Sequence, residues 1–102
     1  MTFDADSPSL MLAVVGTGVM GRGIAQIAAQ AGIETRMYDA SADAVAAARA
    51  SIAEVLGKQV ERGKMERSAL DRTLSCLKPA GALADLAQCD VVIEAIAERL
   101  DA

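Results

Sequence analysis

Apolar runs and helical repeats alternate along the chain, and this alternation predicts its elements. The run from Leu10 to Val15 is apolar throughout and stops at Gly16, which is typical of a strand buried on both faces of a parallel sheet. Helix formers follow from Met20 to Ala31, and Gly32 is placed to end that helix. Within it, the apolar positions at helical spacing are Ile24, Ile27, Ala28 and Ala31.

A second strand and helix follow with clear start and stop signals. Glu34 to Tyr38 predicts a short strand that ends at Asp39. Ser41 is a typical N-cap for a long helix, and Gly63 stands where that helix stops. One face of the helix carries apolar side chains at helical spacing, namely Val45, Ile52, Leu56 and Val60.

The last third of the chain continues the alternation. Ser68 and Asp71 have capping-box spacing and predict a short helix over 69–73. Leu74 to Leu77 is a predicted third strand, and 82–87 a helical turn. The apolar run between Asp90 and Glu94 predicts the fourth strand. This order predicts an α/β fold with a doubly wound parallel sheet and strand order 3-2-1-4.

Composition narrows the possible partners. The chain has 102 residues, 53% of them hydrophobic but only 2% aromatic, so its core is predicted to be aliphatic. The net charge is −4 and there is no basic patch, which argues against a nucleic-acid partner. No stretch is long and apolar enough to predict a membrane span. Residues 1–9 lack a basic segment typical of signal peptides, and we expect a disordered lead-in and a cytoplasmic location.

Cysteine and histidine usage adds little chemistry. Cys76 and Cys89 match no metal-binding spacing, and they are either a redox pair or, as the simpler alternative, two thiols in a reducing compartment. The chain has no histidine, the commonest general base and metal ligand. We therefore predict no catalytic and no metal-binding residue in it.

A glycine motif lies where the first strand is predicted to meet the first helix. Gly16, Gly18 and Gly21 form G-x-G-x-x-G. In this context the first glycine permits the tight turn, the second lets a pyrophosphate approach the backbone, and the third lets helix and strand pack closely. The N–H groups around Val19 and Met20 would bind the pyrophosphate. The alternative is a turn with no ligand.

Asp39 supplies the second half of this pattern. It stands 23 residues after Gly16, directly after the second predicted strand. A carboxylate there accepts hydrogen bonds from the adenosine ribose and repels a 2′-phosphate, which favours NAD over NADP. The alternative is an acid that merely precedes a helix. The fold predicted from both halves is a Rossmann-type domain, incomplete here: its first βαβαβ half plus the following strand, over residues 10–102.

Charged residues elsewhere admit two interpretations. Glu94 and Glu98 follow the last predicted strand and either line the ligand cleft or are solvated acids. Lys58, Arg62 and Lys64 lie at the end of the long helix, where they either contact an anionic ligand or only interact with the helix dipole.

The segments AVVGTGVMGRGIAQIAAQAGIETRMYD, ERGK and ADLAQCDVVIEAIAERL together resemble the N-terminal domain of the 3-hydroxyacyl-CoA dehydrogenases. The likeness covers about residues 11 to 101. The ERGK and AERL segments look like the bacterial branch that handles 3-hydroxybutyryl-CoA or the 3-hydroxyadipyl-CoA of phenylacetate breakdown. The resemblance implies an oxidoreductase of fatty acid metabolism that converts a 3-hydroxyacyl-CoA to a 3-oxoacyl-CoA with NAD.

The resemblance implies that Gly16, Gly18 and Gly21 bind the pyrophosphate of NAD and that Asp39 binds its adenosine ribose. It also implies roles for residues outside the glycine pattern. Ala97 and Glu98 would lie along the nicotinamide half of NAD, and Arg62 and Lys64 would face the CoA phosphates. The catalytic His–Glu pair, the remaining strands and a helical C-terminal domain that makes a homodimer would lie beyond residue 102. We therefore expect a truncated chain that is inactive alone.

Two other functions remain open at this point. One is a different NAD-dependent dehydrogenase with a similar fingerprint. The other is a stand-alone nucleotide-binding or interaction module without catalysis, for which good behaviour as a monomer would be the supporting observation.

Overall fold

A computed structural model describes residues 10–95, which form a four-stranded parallel sheet with its helices. The strands are β1 (Met11–Val15), β2 (Glu34–Tyr38), β3 (Leu77–Pro79) and β4 (Val91–Glu94). The helices are α1 (Val19–Gln30), α2 (Ala42–Glu61) and α3 (Arg67–Cys76), and a 3₁₀ turn spans Leu83–Leu86. The strands lie in the order β3-β2-β1-β4, so the predicted Rossmann-type fold and strand order are confirmed. The predicted lead-in over residues 1–9 lies outside the described residues.

Strands and helices enclose one aliphatic core. Val14, Met37 and Leu77 project from three strands into it. The long helix α2 contributes Val45 and Ile52, together with Leu56, as its predicted apolar face requires, and Val60 packs against the same cluster. None of the helices between residues 10 and 95 is long and apolar enough to cross a membrane.

Helix α1 packs through its small residues. Its buried residues are Gly21, Ala25, Ala28 and Ala29. The predicted repeat marks this face only in part: Ala28 is buried and Ile24 packs against the core. Ile27, in contrast, is 71% exposed, and Ala31 is exposed as well. The face of α1 that packs on the sheet consists of small residues because they let the helix axis lie close to the sheet, whereas a branched side chain would hold it away.

Two helices end in the same glycine-based motif. Gly32 has φ +86° after α1, and Gly63 has φ +72° after α2. At the end of α1, Gly32 N–H donates to the Ala29 carbonyl (3.0 Å) and Ile33 N–H donates to the Ala28 carbonyl (3.1 Å). These are the two bonds of a Schellman motif, which requires a left-handed residue and therefore favours glycine.

The α3 region differs from the prediction. The helix begins at Arg67 with Glu66 as N-cap, so Ser68 lies within the first turn and caps nothing. Asp71 instead pairs with Arg67 one turn earlier, at 3.5 Å. The helix is also longer than the predicted 69–73: it begins two residues earlier and runs on through residues 74–76, where the sequence predicts strand.

A long-range contact holds the junction where this helix ends and β3 begins. The guanidinium of Arg49 in α2 donates to the Leu74 carbonyl (3.0 Å) and the Leu77 carbonyl (3.3 Å). The Leu74 carbonyl also accepts from the Leu77 N–H, so Arg49 adds a second donor there and joins α2 to the end of α3 and the start of β3. The strand is shifted to 77–79 and includes Pro79, which an edge strand tolerates because no further strand of the described part needs its missing N–H.

Candidate functional site

The turn after β1 is tied to the end of β2. Gly16 has φ +96°, a conformation that side chains disfavour. Its N–H donates to the Tyr38 carbonyl at 2.8 Å. The turn therefore extends the pairing of the two strands by one bond and brings the glycine motif beside the residues that follow β2.

Helix α1 begins with an open N-terminus. Gly18 is the N-cap, and no side chain in the described residues caps it. The first turn holds no acidic residue, and Val19 and Met20 are 80% and 70% exposed. The first N–H groups of a helix have no carbonyl partner within it, and the helix dipole makes this end positive. The arrangement suits an anion such as a pyrophosphate.

The second and third glycines are needed for opposite reasons. At Gly18 an added Cβ would meet nothing within 4 Å, so the space next to the backbone is open. At Gly21 an added Cβ would overlap the carbonyl oxygen of Gly16 and lie 2.9 Å from its carbon. Gly18 therefore leaves room for a ligand, whereas Gly21 lets the helix lie against the turn.

Asp39 is joined directly to the glycine motif. Its Oδ2 accepts from the Thr17 N–H (2.9 Å) and from the Thr17 hydroxyl (3.0 Å). Its Oδ1 accepts from the Ser41 N–H at 3.1 Å. These hydrogen bonds fix the orientation of the Asp39 carboxylate. The sequence alone places Asp39 only at the end of a strand.

These donors also set the charge state of Asp39. The Ser41 N–H and then the Thr17 N–H hold the pKa of the Asp39 carboxyl below its ordinary value, and the Thr17 hydroxyl adds to the effect. Burial acts in the opposite direction but is outweighed. Asp39 is therefore an anion at neutral pH, as required of a group that accepts hydrogen bonds from a ribose and repels a phosphate.

An open cleft of about 480 Å³ lies between the turn after β1, the start of α1 and Asp39. It is lined by Gly16, Gly18 and Asp39 from the predicted pattern, and by Leu83 and Ala95 from the far side. The cleft lies at the carboxyl ends of β1 and β2, where open parallel sheets bind ligands. Open space at Gly18, unpaired helix N–H groups and a fixed carboxylate together fit the pyrophosphate and adenosine ribose of a dinucleotide.

Other residues singled out in the sequence lie elsewhere. Arg62 is the C-cap of α2 and Lys64 follows the Gly63 turn; both are exposed and neither lines the cleft. Glu94 is exposed at the end of β4. Ala97 and Glu98 lie outside the described residues. The roles inferred for these residues stay predictions.

Sequence reasoning missed part of the site. The glycine pattern assigns no role to Thr17, because it occupies a variable position of G-x-G-x-x-G. A threonine hydroxyl in a turn nevertheless indicates a hydrogen bond to a nearby polar group. Ser41 was recognised only as the N-cap of α2, a role that its hydroxyl does perform by accepting from the Ala44 N–H at 3.4 Å. Leu83, 59% exposed, lies 44 residues from Asp39 in the chain, and no local signal points to it.

The two cysteines do not form a disulfide. Cys76 and Cys89 are both free and partly buried. Burial raises the pKa of the Cys89 thiol, which disfavours its reactive thiolate form. Among residues 10–95 no group of three potential metal ligands comes together.

Comparison with known proteins agrees with this geometry. The chain is 43% identical over 90 residues to the 3-hydroxyadipyl-CoA dehydrogenase of Escherichia coli, covering 88% of this chain and 19% of that protein. It is 41% identical over 86 residues to the 3-hydroxybutyryl-CoA dehydrogenase of Bradyrhizobium diazoefficiens, covering 84% and 29% of the two proteins.

Structural comparison gives the same result. The crystal structure of 3-hydroxybutyryl-CoA dehydrogenase from Escherichia coli superposes with a TM-score of 0.85 at 42% identity, covering 89% of this chain and 19% of that one. The chain thus spans less than a third of the length of these relatives. The sequence-family model of the 3-hydroxyacyl-CoA dehydrogenase NAD-binding domain matches residues 11–102, and the chain belongs to this family.

Proposed function

We propose that this chain is the N-terminal, NAD-binding portion of a longer dehydrogenase that oxidises the 3-hydroxyl of a 3-hydroxyacyl-CoA to the 3-oxoacyl-CoA. The observation that carries the proposal is the joining of Asp39 to Thr17 of the glycine motif, beside an open helix N-terminus. This arrangement presents a fixed anion to a ribose and free N–H groups to a pyrophosphate, the two parts of NAD that a Rossmann domain recognises.

The residues of this chain bind and orient the cofactor. The N–H groups of Val19 and Met20 hold the pyrophosphate, Gly18 lets it approach, and Asp39 accepts from the ribose. NAD⁺, when bound, supplies the ring that accepts the hydride. The chain itself has no histidine to take the hydroxyl proton, so its share of the reaction is binding and positioning.

The proposed substrate is a short-chain acyl-CoA. The relatives named above act, by their names, on 3-hydroxyadipyl-CoA and 3-hydroxybutyryl-CoA. Preference for 3-hydroxyadipyl-CoA would place the enzyme in phenylacetate breakdown, and preference for 3-hydroxybutyryl-CoA would place it in fatty acid metabolism. Arg62 and Lys64, exposed together on the connection between α2 and α3, are proposed contacts of the CoA phosphates.

Assembly and location are predictions from the sequence alone. We propose a homodimer formed by the complete polypeptide, in the cytoplasm. The free thiols of Cys76 and Cys89 fit a reducing compartment, where disulfides are rare.

The test is an assay of the complete polypeptide carrying this chain, with NAD⁺ and both 3-hydroxyacyl-CoA thioesters. Arg62→Ala and Lys64→Ala are expected to raise KM for the CoA thioester several-fold, because each removes one charge–phosphate contact. A pantetheine thioester lacks the nucleotide phosphates, and its KM should not change. Arg67→Ala, which removes an exposed charge already paired with Asp71, is the matched control. If the complete polypeptide turned over neither of the two 3-hydroxyacyl-CoA thioesters, the proposed activity would be contradicted.

A further inference from the structure

The hydroxyl of Thr17 has a role that folding of the loop does not explain. We propose that Thr17 is a positioning residue, which holds the Asp39 carboxylate in one orientation and thereby sets the preference of the site for NAD over NADP. The inference rests on the proposed function, since it concerns how the same cleft selects its dinucleotide.

The geometry makes the hydroxyl a dedicated partner of Asp39. Thr17 is only 7% exposed, and its hydroxyl donates to Asp39 Oδ2 at 3.0 Å. The N–H of the same residue donates to the same oxygen at 2.9 Å. Two donors on one oxygen, both from one residue, fix the plane of the carboxylate as well as its position.

The loop is held without this hydroxyl. Gly16 N–H already bonds to the Tyr38 carbonyl at 2.8 Å, and the Thr17 N–H already bonds to Asp39. Residues 11–15 pair in full register with residues 34–38. The hydroxyl is therefore not needed to place the loop beside β2, and its bond to Asp39 acts on the orientation and ionisation of the carboxylate.

The bonding pattern decides which part of Asp39 meets the ligand. A carboxylate has about four acceptor positions, two on each oxygen. Thr17 occupies both on Oδ2, and Ser41 occupies one on Oδ1. Because Thr17 fills Oδ2, Oδ1 is the oxygen that can accept from a ribose hydroxyl. A carboxylate held in this way cannot rotate away from a 2′-phosphate, so the repulsion that disfavours NADP is kept at full strength.

Thr17→Val tests the proposal because it removes the hydroxyl at nearly constant volume, and Thr17→Ser is the control that keeps the hydroxyl. Calorimetric titration with NAD⁺ and NADP⁺ should show the NAD⁺/NADP⁺ affinity ratio falling about 3- to 10-fold in Thr17→Val, the range expected for one hydrogen bond. Thr17→Ser should restore the ratio. In an Asp39→Asn background, Thr17→Val should leave the ratio unchanged, because the group through which it acts is gone.

A carboxyl-carbon NMR titration of Asp39 gives a readout that a purely structural role would not move. The Asp39 pKa should be higher in Thr17→Val than in the wild type and Thr17→Ser. Unchanged pKa and unchanged affinity ratio in Thr17→Val would overturn the positioning role while leaving NAD binding intact. All of these titrations use the complete polypeptide that carries this chain, and a wild type that binds neither dinucleotide would overturn the proposed function and the selectivity role with it.

Discussion

Gly21 lies so close to the carbonyl of Gly16 that no side chain fits between them. This contact joins the first turn of α1 to the turn after β1, and an added Cβ would also come within 3.4 Å of the Ala95 Cβ. The third glycine of the motif therefore lets helix α1 pack against the turn after β1.

Gly21→Ala is accordingly expected to destabilise the fold. The methyl group must displace the helix from the turn, and overpacking of this kind costs about 1–3 kcal/mol of the free energy of unfolding. Urea denaturation measures the change. Gly23→Ala, two residues further along the same helix, is the matched control, since its Cβ meets nothing within 4 Å and alanine should stabilise the helix by about 0.5–1 kcal/mol. Equal effects of the two variants would disprove the packing role of Gly21.

Gly18→Val should separate binding from folding. The backbone of Gly18 has φ −68° and ψ −168°, an extended conformation open to any residue, and its surroundings leave room for a side chain. We expect the circular dichroism spectrum to be retained and NAD⁺ affinity to fall by at least about tenfold, because the branched side chain occupies the approach of the pyrophosphate. Retained affinity would show that the pyrophosphate does not pass this residue.

Arg49→Met is expected to destabilise the junction of α3 and β3. The guanidinium bonds to two carbonyls, those of Leu74 and Leu77, and loss of bonds to a charged donor costs about 1.5–3 kcal/mol. The free energy of unfolding and the hydrogen exchange of residues 74–79 report the change. Arg72→Met, an exposed position on α3, is the control and should have little effect. A loss as small as that of the control would mean that these bonds do not define the junction.

Stability should decline at acid pH through Asp39. Its pKa is lowered in the folded chain by the Ser41 and Thr17 N–H groups, so its charged form favours folding. This contribution is complete above the unfolded pKa of about 3.9 and is lost as the pH falls through the lower folded pKa. The free-energy advantage of the wild type over Asp39→Asn should therefore shrink below about pH 4, and an advantage independent of pH would contradict this.

Glu34 titrates in the same acid range and has to be separated from Asp39. Burial raises the pKa of the Glu34 carboxyl, but hydrogen bonds and charges from Lys78 and Arg36 outweigh it and leave the pKa lowered. Its contribution is likewise lost as the pH falls through its folded pKa. Comparison of Glu34→Gln with Asp39→Asn assigns each part of the pH dependence to its residue.

What the sequence could predict was local. The apolar run before Gly16, the spacing of the three glycines and the acid after β2 each follow from backbone geometry, and they predict both the fold and the position of the cleft. The strand order followed from the alternation of strands and helices together with the handedness of their connections.

What the sequence could not predict depended on distant partners. The local pattern misplaced β3, and the end of α3 is bound by Arg49, 25 residues away from Leu74, a contact that no local pattern contains. The outward position of Ile27 results from close packing of α1 against the sheet, which apolar spacing does not reveal. The Thr17–Asp39 pair spans 22 residues and becomes evident only when β1 and β2 lie side by side.

The most direct test of NAD recognition is a calorimetric titration with NAD⁺ and NADP⁺ of the complete polypeptide that carries this chain, as wild type and as Asp39→Asn. We predict that the wild type binds NAD⁺ in preference to NADP⁺. In Asp39→Asn the NAD⁺ affinity should fall by about 10- to 100-fold, as for a hydrogen bond to a charged group, and the preference should narrow. Equal affinity of the wild type for both dinucleotides, or a preference unchanged by the substitution, would contradict the role of Asp39 on which this account depends.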